Sequence, residues 1–146
     1  MEEIIRPALE SGAIVLCDRF VDSSRVYQGV TGNLESEFIE TLQRIAVDGV
    51  MPDCTLILDL PAEIGLKRAK KRSADAPDRF EREEIDTHEK RREAYLEIAA
   101  ADPERCHVVD AQESEDEIAT KIFALIEPLV AGQSGVSEKA TAGTKR

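Results

Sequence analysis

The first 130 residues predict an α/β chain in three layers, with helices on the two faces of a mostly parallel sheet. Two observations carry that expectation. Three short apolar runs, AIVLC at 13–17, CTLILDL at 54–60 and CHVV at 106–109, have strand length and end in turn or polar residues. The first, at 13–16, is apolar or small throughout rather than alternating, which is the habit of a parallel strand buried on both faces, and 54–60 reads as a second buried strand. Between them lie stretches with helical periodicity, and no internal repeat is visible. Three strands are few for such a domain.

The chain of 146 residues is enough for one domain. Its formal net charge of -11 argues against a general nucleic-acid surface, which needs a basic footprint. A small anion held in a local basic pocket stays compatible with that charge. Cys17, Cys54 and Cys106 are widely spaced, with no CxxC pair, and read as buried thiols of a reducing compartment. His88 and His107 lack ligand spacing, so no metal site is expected from the imidazoles. No run approaches the roughly 18 apolar residues of a membrane span, and Met1-Glu2-Glu3 does not open a signal peptide. The expected setting is the cytoplasm, with no membrane partner.

In chain order, 2–11 reads as a helix ended by Gly12, with Pro7 awkward unless it lies in the first turn or makes a kink. The strand at 13–17 leads into a polar cluster: Asp18, Arg19, Ser23, Ser24, Tyr27 and Gln28. Ligands of open α/β sheets bind beyond the carboxyl ends of strands. An Asp-Arg pair there offers a carboxylate for a metal or water and a fork for phosphate. It reads equally as a solvated ion pair at a strand end.

Residues 21–28 form a short helix, and 34–47 a longer one on the stripe Leu34, Phe38, Leu42 and Ile45, ended by Gly49 and Pro52. After the second strand comes a helix at 63–72 with a basic end: Lys67, Arg68, Lys70, Lys71 and Arg72. Such an end suits the helix dipole as a solvated face. The loop SADAPD and Arg79 follow, small residues and a proline between basic groups, as in a mobile anion-facing flap. A helix at 84–101 packs through Ile85, Tyr95, Leu96 and Ile98. The third strand ends at Asp110 and Ala111. Ser114 and Glu117 have capping-box spacing before a helix that Pro128 closes. Residues 131–146 have too little apolar surface to offset their ordering entropy and are expected to be disordered.

Several segments together resemble the thymidylate kinases of bacterial type: CDRF at 17–20, DSSRVYQG at 22–29, PDCTLILDLP at 52–61, GLKRAKKR at 65–72, DRFE at 78–81, REAYLEIA at 92–99 and HVVDA at 107–111. The resemblance spans about residues 2–130 and is specific only in combination. It implies a P-loop nucleoside-monophosphate-kinase-like fold, here incomplete at the amino terminus. The GxxxxGK[ST] phosphate loop of that fold does not occur in this sequence. The resemblance also implies that the sheet lacks its first two strands, one of which lies between the runs at 13–17 and 54–59. Open edges and uncovered apolar faces would follow, so the polypeptide alone is expected to fold poorly or to aggregate.

The activity so implied is transfer of the ATP γ-phosphoryl group to dTMP, giving dTDP, with Mg2+ as the ion. Asp18 is then the acid near the acceptor phosphate, reaching the magnesium shell through water. Arg19 clamps that phosphate. Tyr27 packs under the deoxyribose and excludes a 2′-hydroxyl, Gln28 lies near the thymine edge, and Ser23 and Ser24 are a small polar pair on the substrate side. A lid at about 68–82 offers Arg68, Arg72 and Arg79 to the phosphates, with Arg79 the catalytic choice. Ala111 lies on the adenine side. The resemblance implies a homodimer, doubtful where a contributing helix is cut short. Two departures stand out: YQG is followed by VTGNLE without the usual arginine, and Arg25 replaces a smaller residue. The competing readings are a non-catalytic structural fragment, or a fragment of a related deoxynucleotide kinase. The 146 residues alone are expected to be inactive.

Overall fold

The computed structural model describes residues 3–30, 36–72 and 81–137. The elements in order are α1 (Ile5–Glu10), α2 (Val21–Ser24), a π-helical segment (Arg25–Val30), α3 (Ser36–Val47), β1 (Thr55–Asp59), α4 (Ala62–Arg72), α5 (Glu81–Ala101), β2 (Cys106–Asp110) and α6 (Glu115–Ser137). They fall into two compact units, 18–112 and the pair of flanking segments 1–17 with 113–146.

In the unit 18–112, β1 and β2 form a two-stranded parallel sheet in the register Thr55↔Cys106 to Asp59↔Asp110. The ladder is extended by Thr55 N–H to the Arg105 carbonyl (2.8 Å) and Ala111 N–H to the Asp59 carbonyl (2.8 Å). Parallel strands need a long crossover, and α4 and α5 provide it. The small, open sheet flanked by helices is an incomplete version of the expected nucleoside-monophosphate-kinase-like fold.

α5 packs against both strands, α4 and the π segment. The core joins Val26, Ile57, Ala94, Ile98, Ala99 and Cys106, with Tyr27 and Tyr95 against it. Ala94 and Ala99 keep the side of α5 that meets the core slim, so helix and sheet approach closely. Alternate residues of a strand face opposite ways. Each sheet face therefore holds a buried residue, Ile57 on one and Val109 on the other, and a half-exposed one, Val108 and Leu58 respectively. Complete burial on both faces, as the apolar runs predict, is not reached.

Three further expectations are corrected. The run 13–17 is not a strand. Ile14 is 67% and Leu16 94% exposed, because apolar backbone becomes a strand only where a neighbour accepts its hydrogen bonds, and none of the described strands does. Of the three cysteines expected to be buried, Cys17 is accordingly exposed, Cys54 is half-buried and Cys106 is buried, and partial or full burial raises the pKa of the Cys54 and Cys106 thiols. Of the stripe expected on α3, Leu34 lies outside the described residues and Phe38, Leu42 and Ile45 face outward, while Ile39 and Val47 are buried instead. Gln43 lies on the inward stripe because its amide donates to the Val21 carbonyl. Two neighbouring stripes compete on any helix of 3.6 residues per turn, and here the one that satisfies a backbone carbonyl faces in.

In the other unit, α1 has Pro7 in its first turn and ends in a Schellman motif. Gly12 takes φ +79°, Gly12 N–H reaches the Leu9 carbonyl (2.9 Å) and Ala13 N–H the Ala8 carbonyl (3.0 Å). The capping box of α6 forms as expected: Glu117 N–H meets Ser114 Oγ (3.4 Å) and Ser114 N–H meets Glu117 Oε2 (3.0 Å). Pro128 lies inside α6 rather than at its end. Proline removes one donor and crowds the preceding turn, but it leaves later residues able to continue, and helix persists through 131–137 of the segment expected to be disordered. Residues 138–146 lie outside the described residues.

Candidate acceptor-nucleotide site

The polar cluster at 18–28 begins with a strained residue. Arg19 has φ +60°, a left-handed conformation unusual for a residue with a Cβ. Such strain persists only where surrounding structure holds it, and it concentrates at functional sites. The chain then turns into α2, where Ser23 N–H bonds to the Phe20 carbonyl at 3.1 Å.

Asp22, in the first turn of α2, is 5% exposed and fastens this segment to the sheet. Arg105 grips its carboxylate with two nitrogens, Nη1 at 2.8 Å and Nη2 at 3.0 Å. The same guanidinium donates to Thr55 Oγ1 (2.8 Å) and Asp102 Oδ2 (2.7 Å), and Thr55 Oγ1 donates to Asp22 (3.3 Å). One arginine thus ties α2 to β1 and to the turn before β2. A buried carboxylate is tolerable when paired in this way. The bond to Asp22 drives the Arg105 pKa further above its ordinary high range.

α2 runs directly into the π segment. The wider turn brings both Val26 and Tyr27 to the core beneath α5. π-helical turns recur at functional sites. Tyr27 is half-buried, and two guanidinium carbons lie over its ring, Arg91 at 4.5 Å and Arg19 at 5.1 Å from the centroid. Ser23 Oγ and the Tyr95 hydroxyl are 2.8 Å apart and share a hydrogen bond. Asp18 and Gln28 are exposed, and Ser24 is half-buried. Arg25 lines a separate cleft of about 310 Å³ with Gln43, Arg44, Val47 and Met51, so its bulk is spent beside α3.

The basic residues of α4 behave differently from one another. Arg68 Nη1 donates to the Ala111 carbonyl at 2.8 Å, which joins two residues singled out for different phosphate-side and adenine-side roles. Arg72 closes α4. Arg79 and the rest of the stretch 73–80 lie outside the described residues. At the other end of α4, Glu89 Oε2 accepts from Ala62 N–H (3.2 Å), while Oε1 takes Arg92 Nη1 (2.6 Å). Arg92 also forks Asp59 at the carboxyl end of β1, Nε to Oδ1 at 2.6 Å and Nη2 to Oδ2 at 2.9 Å. The Arg92 hydrogen bond holds the Asp59 carboxyl below the usual carboxylate range.

Sequence reading singles out Asp18, Arg19, Ser23, Ser24, Tyr27 and Gln28 but not the contacts that fix their segment. Asp22 sits inside the quoted motif without a role, and its partner Arg105 is 83 residues away. Arg91 is not singled out by the sequence, and Tyr95 reads only as a packing residue of its helix. Among the described residues no group of three His, Cys, Asp or Glu side chains could hold a metal ion. Asp18 is one exposed carboxylate, so these residues do not by themselves build a magnesium site. No described helix is long and apolar enough to cross a membrane.

Comparison with known proteins gives a consistent result. A family profile described as thymidylate kinase matches residues 1–122. The thymidylate kinase of Nitrobacter winogradskyi is 49% identical over 124 residues, which are 84% of this chain and 54% of that protein. The thymidylate kinase of Nitrobacter hamburgensis is 47% identical over the same shares. The crystal structure of thymidylate kinase from Ehrlichia chaffeensis superposes with a TM-score of 0.64 at 26% identity, covering 86% of this chain and 56% of that one. The chain thus spans about half the length of the curated relatives it matches. On the profile, the identities and the fold together, this chain belongs to the thymidylate kinase family.

Proposed function

We propose that the chain carries the acceptor side of a dTMP kinase reaction, in which ATP and dTMP give ADP and dTDP. The observation that carries this reading is the anchored Asp18–Gln28 segment, held at Asp22 by the Arg105 fork with the Tyr27 ring under two guanidinium groups. Phosphoryl transfer asks a protein for positioning and for cationic stabilisation of spreading negative charge, and this segment offers both. Arg19 takes the dTMP phosphate, for which a planar fork is suited. Asp18 stands beside that phosphate as the acid, Tyr27 lies against the deoxyribose, and Gln28 meets the base edge with an amide that both donates and accepts. Ser23, held by Tyr95, and Ser24 line the approach.

Arg68, Arg72 and Arg79 are proposed for the transferred and donor phosphates, and Ala111 for the adenine side. ATP, entering as its Mg2+ complex, is the proposed co-substrate. The exposed Phe38, Leu42 and Ile45 stripe of α3 supports self-association as the mode of assembly.

The test is calorimetric titration of the 146-residue chain. Saturable binding of dTMP, weaker binding of ribothymidine monophosphate, and loss of that discrimination in Tyr27→Ala are expected. Failure to bind dTMP at millimolar concentration contradicts the reading. Because the sequence contains no GxxxxGK[ST] loop, this polypeptide assayed alone is expected to turn over negligibly. Robust dTMP-dependent ADP production by it overturns the division between acceptor and donor parts.

A further inference from the structure

We infer that Arg91 is a second cationic contact for the phosphate of the acceptor nucleotide, acting beside Arg19 across the ring of Tyr27. The inference rests on the acceptor-site reading above and adds a residue that lies outside every segment of the sequence used to reach it.

The chain carries 30 acidic residues against 19 basic ones, so an arginine in its folded part ordinarily finds a carboxylate. The neighbours of Arg91 illustrate this. Arg92, the next residue, is saturated by Asp59 and Glu89, and Arg105 by Asp22 and Asp102. Both are structural ties. Among the described residues no carboxylate pairs with Arg91, and its guanidinium lies on the Tyr27 ring instead, 4.5 Å from the centroid. Its Nε is shielded from solvent and donates to no described acceptor.

Each of these facts has a physical consequence. A guanidinium stacked on a ring uses its face and keeps its in-plane donors for an anion. A buried donor without an acceptor is costly, and a ligand oxygen removes that cost. Arg19 also lies over the same ring, at 5.1 Å, so two like charges share one aromatic surface. A phosphate monoester near neutral pH carries nearly two negative charges and has three acceptor oxygens. A thymidine monophosphate whose sugar rests on Tyr27 brings that group to both arginines.

The chain has its own reporter for the test. It contains two tyrosines, Tyr27 and Tyr95, and no tryptophan, so intrinsic fluorescence reads this site. The full chain, Arg91→Ala and Arg91→Lys are titrated with dTMP and separately with uncharged thymidine, after circular dichroism has confirmed that each variant is folded. Arg91→Ala is expected to weaken dTMP at least about ten-fold, the effect of losing one charged hydrogen bond, and to leave thymidine affinity within two-fold, roughly the scatter of a surface change. Arg91→Lys is expected to recover part of the dTMP affinity as a point charge.

Unchanged dTMP affinity in Arg91→Ala overturns the inference and spares the acceptor reading. So does an equal loss for dTMP and thymidine, which makes Arg91 a support for the ring only. A wild-type chain that takes up neither nucleotide overturns both.

Discussion

Two apolar runs of similar length and composition meet opposite fates in this chain. Residues 55–59 pair with β2 along their whole length, and Ile57 joins the core. Residues 13–17 pair with no described strand, and Leu16 is 94% exposed. The difference does not lie in hydrophobicity. It lies in whether another strand accepts the backbone hydrogen bonds and whether a helix such as α5 covers a face. The polar segment that follows the unpaired run is nonetheless well fixed, because a buried ion pair attaches it to the paired one. Attachment of the site by side chains rather than by sheet continuity is the main lesson of the fold.

That contrast can be broken most severely at Asp22. Asp22→Ala leaves the Arg105 guanidinium buried without its main partner, a loss of about 3–5 kcal/mol for pairs of this kind. A chemical denaturation midpoint well below that of the parent is expected, along with loss of dTMP binding. The double change Asp22→Asn with Arg105→Met should recover part of the stability if the charge, and not the packing, is responsible.

Ile57→Ala opens a cavity beneath α5 and is expected to cost about 2–4 kcal/mol, measured by the same denaturation. Leu16→Ser, at the other run, is expected to stay within about 0.5 kcal/mol. Its effect should appear instead as reduced light scattering at high concentration, because exposed apolar chain promotes association. A Leu16→Ser loss as large as that of Ile57→Ala would mean the two runs are equally buried.

A smaller effect is expected from pH. The Arg92 bond depresses the folded-state pKa of Asp59. A depressed carboxylate contributes stability in full above its unfolded value, about pH 4, and loses it as pH falls through the lower folded value. Asp59→Asn should therefore flatten the acid limb of the stability curve below about pH 4, with little change in its slope at neutral pH.

How much of this was legible beforehand follows from distance along the chain. Strands β1 and β2 and the α6 capping box depend on residues close in sequence, and they are readable there. The strand expected at 13–17 depended on a neighbour, and local pattern contains no information about neighbours. The buried stripe of α3 was misassigned because Phe38, Leu42 and Ile45 are more apolar than the stripe carrying Gln43, and the deciding bond is to Val21 on another element. Asp22 and Arg105, or Tyr27 and Arg91, are paired only by the fold. The same distance hid that Arg68 reaches the Ala111 carbonyl.

We propose that 18–28 is an anchored acceptor site although the run before it joins none of the described strands. Amide hydrogen exchange of the full chain, with and without dTMP, tests it most directly. Slow exchange at 55–59 and 106–110, fast exchange at 13–17, and a nucleotide-dependent slowing centred on 18–28 are expected. Protection at 13–17 equal to that at 55–59, or no response of 18–28 to saturating dTMP, would contradict it.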